Sequence, residues 1–375
     1  MRKILNVAII YNEPTVQTSK GRKYLSNLTN SLDQEINSTT KIKDIDLSEV
    51  GILEEKQDIQ HALEKLGHNC SIFNAADDFI NLVKFIEAKD PDVIFNMVEG
   101  LNNCSIHEMY IAGIYELLGV TYTGAGPLAL GNCLNKNKTK DLLIANNIPT
   151  PKYDLCSYRS LPSKDKKLKF PLIVKPAGED ASVGIDNDSI LYNYKDLSKK
   201  INYVCKKYKG KVIVEEYIDG REINVAIIGN KNPRVLPFSE ISFNKMPKNL
   251  PPIVTYRAKW ISGSAEYQGT NGVCPAKVTK SLAKKLEKIS LKAYKLMGCR
   301  DYARIDLRID KNNNPFILEV NPNPDISDEA GFARSSRAAG YKYDEIVQQI
   351  LNFALERNKM KILLTNKQKL IRIPA

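Results

Sequence analysis

Near the C-terminus two alternating runs, ARIDLRID (303–310) and PFILEV (315–320), flank the turn KNNN. Side chains alternate faces along a strand, so Arg304 and Asp306 share one face and Glu319 and Asn321 share one face of the next strand. The apolar neighbours Ile305, Leu307, Leu318 and Val320 fill the alternate positions. A chain with this pattern folds here as an antiparallel hairpin, with a polar face concentrated where the second strand ends. Pro322 and Pro324 then stop regular structure. An exposed polar hairpin face is the plain alternative, but the apolar flanks and the strand-end position of the acids weigh against it. Asp306, Glu319 and Asn321 form an all-oxygen donor set, which suits Mg²⁺ rather than zinc. Arg304 on the same face offers a guanidinium to developing negative charge.

The chain has 375 residues, 43% hydrophobic and 26% charged, an ordinary globular composition with length for two to three domains. No apolar run approaches the roughly 20 residues of a membrane helix. The opening MRKILNVAII lacks a small-residue cleavage site and reads as a first strand, which makes a cytoplasmic location the expectation. Seven scattered cysteines contain no CxxC pair, and three dispersed histidines offer no His-based metal centre. The net charge of +12 fits an acidic partner. With no nucleic-acid module in view, nucleotide and carboxylate chemistry outweigh nucleic acid.

Along the chain, strands and helices alternate from residue 50 to about 133, an α/β layout with a mainly parallel sheet. The polar stretch 14–48 reads as a long loop or lid, with a short helix around Tyr24 to Leu32. We expect an N-terminal domain at 1–133, a central subdomain at 134–215, a C-terminal subdomain carrying the metal site at 216–360, and a basic tail at 361–375. The segment TYRAKWISGSAEYQGTNG reads as a loop.

Two more segments carry candidate chemistry. Lys175 ends an apolar strand before the small-residue loop AGEDASVG, in which backbone N–H groups can approach phosphate oxygens. The Walker A pattern and its helix are absent, and a hairpin with a surface lysine is the plain reading. EEYIDGRE follows the strand KVIV. Such a strand-to-link segment holds adenine by its backbone and a ribose by an acid, or is merely a charged strand end.

Taken in order, IFNMVEG, TYTGAGP, LNKNKTK, LIVKPAGEDASVG, VIVEEYIDGREINVAI, YRAKW, ARIDLRI and ILEVNPNP resemble the ATP-grasp superfamily, in its D-alanine–D-alanine ligase-like branch. The resemblance spans most of the chain. It implies an N-terminal α/β domain followed by two subdomains that clasp ATP. Lys136 and Lys175 match the nucleotide-phosphate lysines. Glu179, Asp180, Ala181, Ser182, Val183 and Gly184 match the flexible lid over the phosphates. Glu215, Glu216, Tyr217 and Ile218 match the adenine linker, and Glu222 the ribose acid. Asp306, Glu319 and Asn321 match the ligands of Mg²⁺, expected as two ions with Mn²⁺ as a substitute, and Arg304 matches the arginine at the tetrahedral centre. Lys259 lies in the mobile substrate loop and, with Arg304 and Ser182, completes the implied catalytic set.

The implied reaction activates a small-molecule carboxylate as an acyl phosphate, then passes it to an amine, releasing ADP and phosphate. The specificity positions depart from the branch. Its lid serine is Ala181 here, its substrate-loop tyrosine is Trp260, and the serine for the second substrate's carboxylate is missing near Glu329 and Ala330. The family's early glutamate finds only Glu13, in a different setting, and Glu99 lies in an altered NMVEG segment. Glu13, Glu99 and Trp260 are therefore the substrate candidates, and the expected product is not D-alanyl-D-alanine. Because alanine carries no side-chain donor and tryptophan only an N–H, the branch's linked serine–tyrosine–glutamate set is not expected to form. Two other readings stand beside this one: loading of an acidic carrier-protein thiol, and a non-catalytic ATP-binding regulatory protein. The family commonly forms homodimers; no membrane partner is expected.

Overall fold

The computed structural model describes residues 3–13, 15–18, 21–24, 51–75, 78–101 and 104–371. Internal contacts divide it into two units, 1–122 and 123–375.

In the first unit, β1 (Asn6–Tyr11) precedes a small antiparallel hairpin of β2 (Thr15–Thr18) and β3 (Gly21–Tyr24). That hairpin stands where the sequence reads as a loop. The remainder of the expected lid, with its short helix, lies outside the described residues. Helix α1 (Gly51–Lys65), β4 (Asn69–Asn74), α2 (Phe79–Lys89), β5 (Val93–Met97) and α3 (His107–Leu118) follow. The sheet is parallel, in the order β4-β1-β5. β1 and β5 are almost wholly buried, as near-continuous apolar strands of parallel sheets are.

The second unit begins with α4 (Pro127–Leu134), α5 (Lys136–Ala145) and β6 (Tyr153–Cys156), then β7 (Leu172–Pro176), β8 (Ile190–Leu191), α6 (Tyr194–Lys207) and β9 (Val212–Glu216). These strands form an antiparallel sheet, β6-β9-β7-β8. Leu172, Val174, Val212 and Val214 on one face pack against Leu197, Ile201 and Val204 of α6. The period of two then turns Lys175 and Glu215 to the opposite face.

A second sheet holds β10 (Gly220–Ile228), β11 (Arg234–Val235), β12 (Ser239–Ser242), β13 (Asn271–Val273), β14 (Tyr302–Asp310) and β15 (Pro315–Asn321), in the order β13-β12-β10-β14-β15 with β11 beside β10. Between β12 and β13 stand two short helices, α7 (Tyr256–Trp260) and α8 (Ala265–Gly269), in the segment expected to be a loop. Each starts at a hydroxyl cap: Thr255 Oγ1 accepts from Ala258 N, and Ser264 Oγ from Tyr267 N. Helix α9 (Lys280–Leu296) covers one face of the sheet, burying Leu282, Leu286, Ala293 and Tyr294 against Ile223, Val225, Ile305, Leu307 and Val320. Each fully buried leucine contributes roughly 1.5–3 kcal/mol.

Helix α10 (Gly331–Ala338) and α11 (Tyr343–Ile371) end the chain. α11 runs through most of the expected basic tail, because no Gly or Pro interrupts 343–371. Its Arg357 forks onto the fully buried Asp301 at 2.8 and 2.7 Å, and Asp301 also accepts from Gly124 N. Among the described residues no helix is long and apolar enough to cross a membrane.

Candidate active site

Strand register assembles the centre. Across β10, β14 and β15, Asn224, Asp306 and Glu319 are direct partners, and Arg304 faces Asn321 in the next row. The register shifts between Asp306 and Leu307, so Leu318 is the extra residue of a bulge on β15, and it lines the same pocket as Asp306 and Glu319. Bulges re-aim side chains in this way beside active sites.

Arg304 Nε and Nη2 fork onto the two Asp306 oxygens at 2.8 Å each. Asn321 Nδ2 donates to Asp306 Oδ2 at 2.9 Å and lies 3.5 Å from Glu319 Oε1. Asn224 Nδ2 donates to Asp306 Oδ1 at 2.6 Å. Burial would raise the Glu319 pKa, but Lys136, Lys175 and Arg304 overcome it and hold the carboxylate down at about 2. The four residues predicted from the hairpin thus converge. Asn224, which the sequence reading passed over, completes the row. Among the described residues no three His, Cys, Asp or Glu side chains group as a metal site. The set is two carboxylates and an amide, hard oxygen donors that fit Mg²⁺.

Opposite lies a cation cluster. Glu215, 1% exposed, sits 3.3 Å from Lys175 Nζ and 3.5 Å from Lys140 Nζ. Its side chain therefore belongs to this cluster, while Glu216, Tyr217 and Ile218 continue as the pocket wall. Lys140 is fully buried and also donates to Thr150 Oγ1 at 2.9 Å. Burial, aided by Lys175 and opposed by Glu215, pulls its pKa down to about 8. Lys140 is a candidate site residue that the sequence reading missed. Its position four residues after Lys136 in NKNKTK, one helical turn along the same face of α5, was the available signal.

Lys136 is buried and reaches the lid, bonding Asp180 Oδ1 at 2.5 Å and the Glu179 carbonyl. Ala181 and Ser182 both take left-handed backbone, with φ of 52° and 63°. Gly184 has φ 76°, and a Cβ there would overlap Pro176 and Tyr208. Val183 donates its N–H to the Asp180 carbonyl, which closes the turn. Ser182 lines the pocket with Lys175, Glu222 and Arg308. Arg308 stacks on Tyr217, with 4.9 Å from Cζ to the ring centroid, and donates to the Gly220 and Pro252 carbonyls. It stands 3.8 Å from Glu222.

The lid is tied to α7 at two points. Tyr256 N donates to the Ile185 carbonyl at 2.9 Å, and Trp260 Nε1 to the Ala181 carbonyl at 3.0 Å. Alanine offers no side-chain partner at position 181, so the contact with Trp260 runs through the backbone there. The indole uses a backbone acceptor instead. Lys259 Nζ lies 4.7 Å from the Trp260 ring centroid.

Glu13 and Glu99 belong to the first unit, just beyond the C-terminal ends of the adjacent parallel strands β1 and β5. Glu13 exchanges hydrogen bonds with Asn74, and Glu99 N donates to Asn12 Oδ1. Strand C-terminal ends are where α/β sheets bind ligands.

A family model for the C-terminal domain of D-ala D-ala ligase matches residues 143–352. The chain belongs to the D-alanine–D-alanine ligase family. A D-alanine–D-alanine ligase from Carboxydothermus hydrogenoformans is 30% identical over 306 residues, covering 80% of this chain and 91% of that protein. An uncharacterised protein of Sinorhizobium fredii is 32% identical over 301 residues, covering 79% and 86%. Among solved structures, the Bacillus anthracis D-alanine–D-alanine ligase complexed with ATP aligns with a TM-score of 0.68 at 21% identity, over 95% of this chain and 99% of that one. The fold class predicted from the motifs is therefore the observed one. Membership in the D-alanine–D-alanine ligase family places the chain among ATP-dependent, carbon–nitrogen bond-forming ligases.

Proposed function

We propose that this ligase activates a small carboxylate with ATP and joins it to an amine. The observation that carries the reading is that one pocket is lined by Lys175 and Glu215 together with Asp306 and Glu319, the first pair backed by Lys140 and the second by Arg304 and Asn321. Glu216, Tyr217, Ile218 and Glu222 form the nucleotide end, with Arg308 fastening the linker. Lys136, Lys175 and the loop 179–184 meet the phosphates. Asp306, Glu319 and Asn321 would hold Mg²⁺, which offsets the crowding of phosphate charge when bound.

A carboxylate oxygen of the first substrate attacks the γ-phosphorus. The bond from that phosphorus to the β–γ bridging oxygen breaks, and ADP leaves. The amine nitrogen of the second substrate then attacks the acyl carbon, loses a proton, and expels phosphate as the carbon–oxygen bond breaks. Arg304 faces the oxygen that gathers charge in the second step. Lys259, beside the tethered lid, contributes a cation on the substrate side.

The product is not D-alanyl-D-alanine in this reading. Ala181 and Trp260 stand where the branch places its serine and tyrosine, and its second serine is missing near Glu329 and Ala330, while Arg304, Asp306, Glu319 and Asn321 match the branch. Phosphate release measured across D- and L-amino acids and simple carboxylates, paired with amines, tests this. Turnover with a pair other than D-alanine with D-alanine is expected. Efficient formation of D-alanyl-D-alanine would overturn the specificity statement, and silence across the panel would overturn the ligase reading itself.

A further inference from the structure

One buried carboxylate of the second unit stands outside the pocket and outside the chemistry described above. Glu266, on α8, is 5% exposed. A carboxylate removed from water is costly unless donors meet it. Two donors do, and each comes from a different element. Asn187 Nδ2, in the turn that follows the lid, donates to Glu266 Oε1 at 2.8 Å. Arg257 Nε, on α7, donates to the same oxygen at 3.1 Å. Asn187 Oδ1 is buried with no partner. The amide therefore serves this contact through its N–H alone, and an aspartate in its place would set one carboxylate against another.

The exit of the lid is pinned on two sides. On one, Asp186 and Asp188 pair with the buried Lys200 of α6, and Ile185 packs against Ile173, Ile190 and Ile253. On the other, three ties follow one another along the chain: the Ala181 carbonyl to Trp260 Nε1, the Ile185 carbonyl to Tyr256 N, and Asn187 to Glu266. Ser264 Oγ donates to the Arg257 carbonyl at 3.0 Å, and Thr270 Oγ1 to the Glu266 carbonyl at 2.8 Å, which joins α7 and α8 to each other and to the strand beyond. Two of the three ties end on backbone carbonyls, which any residue supplies. The contact of Asn187 with Glu266 joins two side chains, so it depends on the identity of both. Neither residue lines the pocket, so whatever they do to a bound nucleotide passes through the lid.

We propose that Glu266 is a positioning residue: by clasping Asn187 and Arg257 it holds the loop 179–184 against α7, closed over the nucleotide phosphates. A charged acceptor shared by an amide and a guanidinium is stronger than a neutral contact, which suits a tie between two short, irregular segments. The inference rests on the nucleotide part of the reading above and adds the residue that keeps the phosphate loop in place.

Trp260 is the only tryptophan of the chain, so its fluorescence reports the tie to Ala181 directly. The test uses the full chain and two readouts: acrylamide quenching of Trp260 without nucleotide, and the affinity for a non-hydrolysable ATP analogue with Mg²⁺. Glu266→Ala and Asn187→Asp should each raise the quenching constant by about twofold or more, as an opened segment exposes its side chains. Each should weaken the analogue by about 10-fold, the cost of a lost charged hydrogen bond. The double variant Asn187→Asp with Glu266→Gln reverses the contact, since a glutamine Nε2 can donate to the new carboxylate. It should return both readouts to within about threefold of the wild type, a coupling that two unrelated losses would not show. Should Glu266→Ala fail to fold, the two variants at Asn187 carry the test, because aspartate keeps the shape of asparagine. Wild-type quenching and affinity in the single variants would overturn the proposal, and so would a double variant no better than Asn187→Asp alone. The two readings fail separately: an analogue that does not bind the wild-type chain counts against the nucleotide site, while the quenching arm still tests the clasp. Binding that the variants leave unchanged sinks only the clasp.

Discussion

The activating row and the lid face the same pocket but are built differently. Asn224, Asp306 and Glu319 sit side by side on three paired strands, and their positions follow from register. The lid and α7 are loop and short helix, tied by an indole N–H and a backbone N–H onto carbonyls. A sheet-borne constellation tolerates little change, because each side chain is fixed by its neighbours' hydrogen bonds. A tie to a carbonyl survives replacement of the residue that carries it. On the proposed reading, the difference lets the activating row stay as the branch has it while Ala181 and Trp260 depart from it.

The comparison breaks first if the row is dispensable. Asp306→Asn and Glu319→Gln should each abolish Mg²⁺-dependent phosphate release while the circular dichroism spectrum is kept; near-normal turnover in both would remove the metal assignment. Arg304→Ala should lower kcat by on the order of 10²–10³-fold, as loss of a transition-state donor does, with a smaller effect on ATP affinity. Weakened ATP binding with intact kcat would move Arg304 to the nucleotide. Asn224→Leu tests positioning: a loss of about 10- to 100-fold in Mg²⁺ affinity is expected of a residue that orients a ligand from behind.

Lys140 sharpens the contrast through pH. Its proton is held below about pH 8 and lost above, so the cation beside Glu215 disappears as pH rises through that value. ATP affinity should fall across the same interval, and Lys140→Met should be weak throughout and lack the step. A wild-type affinity flat from pH 7 to pH 9 would show that Lys140 does not report to the nucleotide. The smallest effect belongs to the lid: Trp260→Phe removes one neutral hydrogen bond and should change KM by about fivefold or less. A loss as large as that of Arg304→Ala would make Trp260 part of the chemistry.

The hairpin was legible because alternation of charge and apolar residues is a direct readout of strand faces. Register added what alternation omits: the pairing of Asp306 with Glu319 and the bulge at Leu318. Asn224 was hidden because a single amide in INVAI resembles any polar strand residue until its partner strand is known. Lys140 was hidden because helix lysines are usually solvated, and only packing against Glu215 sets this one apart. The tie from Trp260 to Ala181 leaves no trace in sequence, since a backbone carbonyl is common to every residue. The helices α7 and α8 were visible in principle at Thr255 and Ser264, but their helical runs are too short to show a period.

The most direct measurement follows oxygen. With the productive carboxylate labelled by ¹⁸O, the account predicts that one labelled oxygen leaves in the released phosphate, because the carboxylate oxygen that attacks the γ-phosphorus stays on it when the amine displaces phosphate. Phosphate free of label during amide formation would contradict an acyl phosphate and, with it, the role assigned to the activating row.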